Sequence, residues 1–246
     1  MYLKGRIIAI EGTDGVGKQT QCELFKKYIE ENHNPCVVYS FPRYGTETGK
    51  KIKEALCDPN IDMLTKINLF ADDRLAARNE ILEDIHADKT VILDRYITSM
   101  MVYSAAELKI DTFLSKFIDI NQLISDVQYF IYEKEIIENR MPVCDMQIIL
   151  TLPIDLSQKM MADRIDKDLN ENNKALQLEC LNQYKNISRL RTLGMSRYTT
   201  ELDCSKNVEV LPEQTIAIIS ANIIKKVKTI EEIHNEIKNI IDAYIW

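Results

Sequence analysis

Glycine and proline are scarce: seven and six in 246 residues. Neither clusters into a low-complexity run, and no internal repeat is visible. That shortage argues against modules strung on flexible spacers. The sequence reads as one domain over 1–246 with an insertion at 208–227. Histidine is rarer still, with three. The six cysteines are scattered and include no C-x-x-C pair, which argues against a zinc site of ordinary spacing and fits reduced thiols in the cytoplasm better than a disulfide framework. Basic residues are outnumbered, 31 Lys and Arg against 38 Asp and Glu, for a net charge of −7. A general nucleic-acid binder is thereby excluded, while a local basic pocket is not. Long apolar runs are missing too. Ile216 to Ile224 is broken by Ser220 and Asn222 and is far too short to cross a bilayer, so no membrane role is expected. The opening, MYLKGRIIAIEG, passes directly into a strand pattern rather than a secretion signal.

What is present is an ordinary globular composition, 46% hydrophobic and 28% charged, long enough to bury a sizeable core. Short apolar runs at Arg6–Ile10, Cys36–Ser40, Thr90–Leu93, Gln147–Leu152 and Tyr198–Leu202 read as strands. Between them Thr20–Asn32, Thr46–Cys57, Met63–Ala87, Thr98–Lys109, Phe113–Glu138 and Leu156–Arg191 read as mostly helical. This alternation predicts an α/β fold: a doubly wound parallel sheet of about five strands with flanking helices. The insertion is expected to be helical from Pro212, since Ile216, Ile219, Ile223, Ile224 and Val227 follow helical spacing.

Ligands of such sheets collect outside the carboxyl ends of the strands. After the first strand stands Gly12-Thr13-Asp14-Gly15-Val16-Gly17-Lys18. Glycines in a G-x-x-x-x-G-K loop let backbone N–H groups turn inward around phosphate oxygens, and the lysine adds a point charge. Gln19 occupies the position of the usual magnesium-binding hydroxyl, and Thr20 follows with one. Magnesium keeps several waters, so a shell held through water by Thr20 and Asp94 is expected. After the third strand come Asp94 and Arg95, a carboxylate for metal waters and a planar fork for phosphoryl oxygens. After the second comes Phe41-Pro42-Arg43-Tyr44, where Arg43 is either a second phosphate contact or an exposed turn residue.

Taken together, EGTDGVGK, FPRYGTETG, LFADDR and LDRYITSMMVYSAAE resemble thymidylate kinases in order and spacing, over Arg6 to about Glu107. QIILTLPIDLS resembles the family's fourth strand more loosely, and ELDCSKN and KTIEEIHNEI its last strand and helix. The resemblance implies a P-loop nucleoside monophosphate kinase that transfers phosphate from ATP to dTMP with Mg2+, as a homodimer. It assigns Lys18 to the donor phosphates and Asp14 to the 3′-hydroxyl side of the acceptor nucleotide. Arg95 would bridge donor and acceptor phosphates, Asp94 would join the metal shell, and Arg43 would stand near the acceptor phosphate. It assigns Phe70 and Arg74 to the thymine ring, Ser99 and Met100 to the base pocket and Tyr103 to the deoxyribose. Spacing alone favours Phe70 as core and Arg74 as partner of an acidic neighbour; only the resemblance reverses this. A transition-state cation is implied in the loop or in the lid after the fourth strand. The loop has none, which leaves Arg164 or Lys167 in ADRIDKDLNENNK, with Lys174 further on. Two alternatives stay open: a kinase for another deoxynucleoside monophosphate, because of Met100, and a nucleotide-binding module without transfer, because of Gln19 and the arginine-poor lid.

Overall fold

The computed structural model describes residues 5–111, 113–162, 169–189, 196–198, 216–220, 222–223 and 226–244. Its chain alternates strands and helices. β1 (Ile7–Gly12) leads to α1 (Lys18–Asn32), and β2 (Cys36–Ser40) to α2 (Glu47–Leu56) and α3 (Met63–His86). β3 (Thr90–Asp94) is followed by α4 (Ile97–Ile110), a 3-10 turn at Leu114–Lys116, α5 (Ile120–Tyr132) and a π-helical turn at Glu133–Glu138. After β4 (Cys144–Thr151) come α6 (Ile154–Met160), α7 (Leu169–Asn172) and α8 (Lys174–Arg189). The remainder comprises β5 (Ser196–Tyr198), β6 (Ile216–Ser220), the antiparallel pair β7 (Asn222–Ile223) and β8 (Lys226–Val227), and α9 (Ile230–Tyr244).

The sheet is parallel in the order β2-β3-β1-β4. The outer edge of β4 is shared: β5 pairs with Cys144 and Met146, and β6 with Gln147 to Thr151. Five strands thus overstates the continuous sheet, which has four long strands and a split fifth position. Both faces are covered, as an all-parallel sheet requires. Ile7, Ala9, Val91 and Leu93 face a core closed by α3, α4 and α8, whereas Ile8, Ile10, Ile92 and Ile148 face α1 and α9. In α9 the apolar stripe buries Ile233, Ile237, Ile240 and Ile241 on its own domain, with Ile230 left exposed. Register sets the site: Ile10 and Ser40 both lie opposite Asp94, so Gly12, Ser40 and Asp94 end at one edge.

Two expectations are corrected. The insertion is not helical where the structure describes it: Ile216–Ser220 is a strand on β4. Its β-branched run suits a half-buried strand as well as its spacing suits a helix, and unpaired length of β4 was there to receive it. The fifth strand lies at Ser196–Tyr198; residues 199–202 fall outside the described residues. The two longest helical stretches are mostly helical over their described residues, as expected, each divided by a cap. The Asp119 side chain accepts from the Asn121 and Gln122 N–H groups to start α5, and Asn173 accepts from Leu176 N in the first turn of α8.

Candidate active site

The cradle grows out of backbone necessity. At Gly12, φ is 142° and an added Cβ would sit 2.2 Å from the Leu150 carbonyl oxygen of neighbouring β4, so the loop can leave the sheet here only without a side chain. Gly17 caps α1 in the left-handed region, φ 88°, with no side-chain cap. The first N–H groups of α1 are therefore left to an anion, at the positive end of the helix. Lys18 lies back over this loop, its Nζ donating to the Thr13 (2.7 Å) and Gly12 (3.1 Å) carbonyls. Burial, with the nearby Arg95 cation adding to it, lowers the Lys18 pKa to about 8.

Opposite stands Arg95, a non-glycine residue at φ 64°, the kind of backbone outlier that collects at functional sites. Its guanidinium donates to the Gly12 carbonyl (3.1 Å) and pairs with the Asp14 carboxylate, and it lies 5.6 Å from the Tyr103 ring centroid. Asp14 is a hub. Its Oδ2 accepts from the Tyr103 hydroxyl (2.7 Å) and Gln177 Nε2 (2.8 Å), while its own N–H donates to Gln177 Oε1 (3.2 Å). Burial raises the Asp14 pKa, but the charges of Arg95 and Lys18 more than offset this and hold the carboxyl below its ordinary range. Behind Arg95 lies Glu11, fully buried, accepting from the Tyr96 N–H (2.8 Å), the Ser99 hydroxyl and the Tyr184 hydroxyl (3.3 Å). Burial pushes its pKa up, against the Ser99 hydrogen bond and the Arg95 charge. Glu11 thus pins the start of α4, and with it the turn that aims Arg95.

A cavity of about 350 Å³ opens from this cradle, within the range of small-ligand sites. Asp14, Gly15, Gly17, Lys18, Gln19, Thr20, Asp94 and Arg95 line one part, and Phe70, Arg74, Ser99, Met100 and Tyr103 another. Thus most of the sequence-derived residues converge. Thr13 and Val16 are buried in the loop itself, and with Gly12 they do not face the cavity. Arg43 is held elsewhere. Its N–H and Nε donate to the two carboxylate oxygens of buried Asp73 (2.8 and 3.2 Å), and Nη2 donates to the Asp73 carbonyl (2.9 Å). Tyr44, next in sequence, lines the cavity instead. Gln19 turns along the helix surface to Glu23 (3.3 Å). Arg164 and Lys167 fall outside the described residues, while Lys174 is exposed and paired with Asp155 at 2.6 Å.

Sequence reasoning missed Glu11, Gln177, Tyr184 and Glu135. One signal was available: Gln177 and Tyr184 are seven apart, two turns on one face of α8. Glu11 is also the sole carboxylate in an otherwise apolar strand, IIAIEG.

A phosphate cradle at one sheet edge, a lysine laid over it, and an arginine-bearing cleft large enough for a second ligand define a P-loop kinase of nucleoside monophosphates. The family model for thymidylate kinase matches residues 10–142. A thymidylate kinase of Caldicellulosiruptor saccharolyticus is 32% identical over 193 residues, 76% of this chain and 85% of that one. A probable thymidylate kinase of Methanococcus aeolicus is 28% identical over 241 residues, 98% of each chain. The solved thymidylate kinase of Candida albicans, described as having broad substrate specificity, shares the fold, with TM-score 0.69, 22% identity, and 97% of this chain and 92% of that one covered. This chain belongs to the thymidylate kinase family.

Proposed function

We propose that the protein phosphorylates dTMP to dTDP with ATP, by direct in-line transfer and without a covalent enzyme intermediate. The observation that carries this reading is the single cavity joining the phosphate cradle to the Phe70–Arg74 face of α3. Residues four apart share a helix face, so Phe70 offers a stacking surface and Arg74 a donor to one ring. Arg74 has only donors and suits the C4 carbonyl of thymine, whereas cytosine presents an amine there. Met100 adds an apolar wall for the thymine methyl, and Tyr103, hydrogen-bonded to Asp14, closes the sugar side. Lys18 and Arg95 neutralise phosphoryl charge from two sides, and no general base is needed because the acceptor phosphate is already anionic.

The residues present fit magnesium. Asp94 and Thr20 both line the cavity, and the Asp94 carboxylate accepts no hydrogen bond from a described residue. Among the described residues no three His, Cys, Asp or Glu side chains converge on a metal position. Two oxygen donors suit an ion that keeps its waters and is otherwise held by phosphates. Asp94 and Thr20 would hold the ion through its waters, and it would supply charge neutralisation at the donor phosphates. We further read the chain as one cytoplasmic domain acting as a homodimer; no described helix is long and apolar enough to cross a membrane.

A panel of acceptors with ATP tests the reading. kcat/KM is expected to fall in the order dTMP, dUMP, dCMP, with uridylate also poor. The lost Arg74 contact with cytosine is worth about 1–3 kcal/mol. If dCMP is the best acceptor, the Arg74 assignment fails. ATP binding without ADP release for any acceptor identifies a module that has lost transfer.

A further inference from the structure

Arg74 does not stand free at the end of the cavity. Its Nε donates to Glu135 Oε1 at 2.7 Å, and Nη2 converges on the same oxygen. Glu135 comes from the π-helical turn after α5, 61 positions away in sequence. The turn is fixed by Asn139 N donating to the Lys134 carbonyl (3.0 Å) and Met141 N to the Glu135 carbonyl (2.9 Å). Such single π turns gather at functional sites. Glu135 is fully buried and does not line the cavity, whereas Arg74 does. The carboxylate therefore grips the guanidinium from behind, along the edge formed by Nε and Nη2. Nη1 has no hydrogen-bond partner among the described residues, and the Arg74 side chain, though it lines the cavity, is only 2% exposed.

The pair is poorly built for stability alone. A buried ion pair seldom stabilises more than apolar side chains of the same volume. This one leaves Glu135 Oε2 buried without a partner, a cost that a two-oxygen fork would have avoided. We infer that Glu135 is a positioning residue for acceptor choice: it fixes Arg74 so that only the N–H groups left over, on Nη1 and the outer side of Nη2, are offered to the ring. A flexible arginine could swing to satisfy a different base edge; a clamped one presents donors at one place only. With Met100 as the neighbouring wall, Arg74 carries the polar reading at that end of the cavity. The inference rests on the reading of Arg74 given above.

The test compares wild type with Glu135→Gln, which keeps shape and removes charge. Folding is checked by Tm, and kcat and KM are measured separately for dTMP and dCMP. KM for dTMP is expected to rise about tenfold, with a smaller change in kcat and a similar loss of preference over dCMP. In an Arg74→Gln background the same change should alter KM by less than about twofold, because Glu135 acts through Arg74. Should Glu135→Gln fail to fold, Glu135→Asp, which keeps the charge on a shorter arm, is read by the same criteria. A folded variant with wild-type KM and preference overturns the inference, and so does an equal loss in both backgrounds, the mark of a structural role. Absence of turnover in the wild type overturns the functional reading alone; calorimetric binding of dTMP then carries the same comparison.

Discussion

Raising the pH from 7 to 9 should weaken ATP binding through loss of the Lys18 charge. The folded protein holds this ammonium under the cradle carbonyls, where burial and then the Arg95 charge bring its pKa to about 8 from 10.5. A drop of that size corresponds to about 3 kcal/mol against the charged form. The folded value lies below the unfolded one, so the penalty is full below pH 8. It is relieved as pH rises from about 8 to 10.5, where the unfolded chain binds more protons, so over that window rising pH makes the free protein more stable. Phosphates reverse the balance by supplying the missing counter-charge. At pH 9 only about one free site in eleven carries the cation, so ATP affinity should be about tenfold lower than at pH 7. Binding should take up about half a proton at pH 8 and nearly one at pH 9. Calorimetric titration with ATP, without acceptor, in two amine buffers of different ionisation enthalpy reads both quantities. Lys18→Met should abolish the uptake. Flat affinity between pH 7 and 9 with no proton uptake would refute the placement of Lys18 in a desolvated cradle beside the Arg95 cation.

Lys18→Ala and Arg95→Ala are each expected to cut turnover by about a thousandfold while leaving the fold intact, by steady-state kinetics beside a thermal melt; near-wild-type rates would remove the proposed site. Gln19→Ser should be tolerated and lower the magnesium needed for half-maximal turnover, because among the described residues the Gln19 side chain bonds to exposed Glu23; a magnesium titration that shows lost activity would give Gln19 a specific role. Gly49→Ala should destabilise by about 2 kcal/mol or more in a denaturant melt, because its Cβ would meet the Arg43 carbonyl at 1.9 Å.

The parts of the site that were legible in the sequence are local. A strand, a glycine loop and a helix in direct succession have one sensible reading, and Asp94-Arg95 follows an apolar strand whose end the sheet must bring alongside. What stayed hidden depends on distant partners. Arg43 carried the right charge in the right turn, yet Asp73, buried on α3, captures it. The rival readings of Arg74, ligand contact or acidic partner, proved compatible: it faces the cavity and is paired, but with Glu135 rather than with an aspartate beside it. The strand at Ile216–Ser220 was misread because its isoleucines satisfy both periodicities, and only the open edge of β4 decides between them.

The convergence on Asp14 also sets an order of events during synthesis. The cradle is made early, and its arginine by residue 95, yet the side chains that complete the polar shell of Asp14 and Glu11 include Gln177 and Tyr184, 163 and 173 positions downstream. Contacts of such separation form late because the loop between them must close first. A growing chain that has displayed all four long strands therefore still has an unfinished nucleotide site. That polar shell is complete only once α8 has left the ribosome and docked, and a product of early termination before that helix lacks Gln177 and Tyr184 together with the cover that α8 and α9 give the two faces of the sheet.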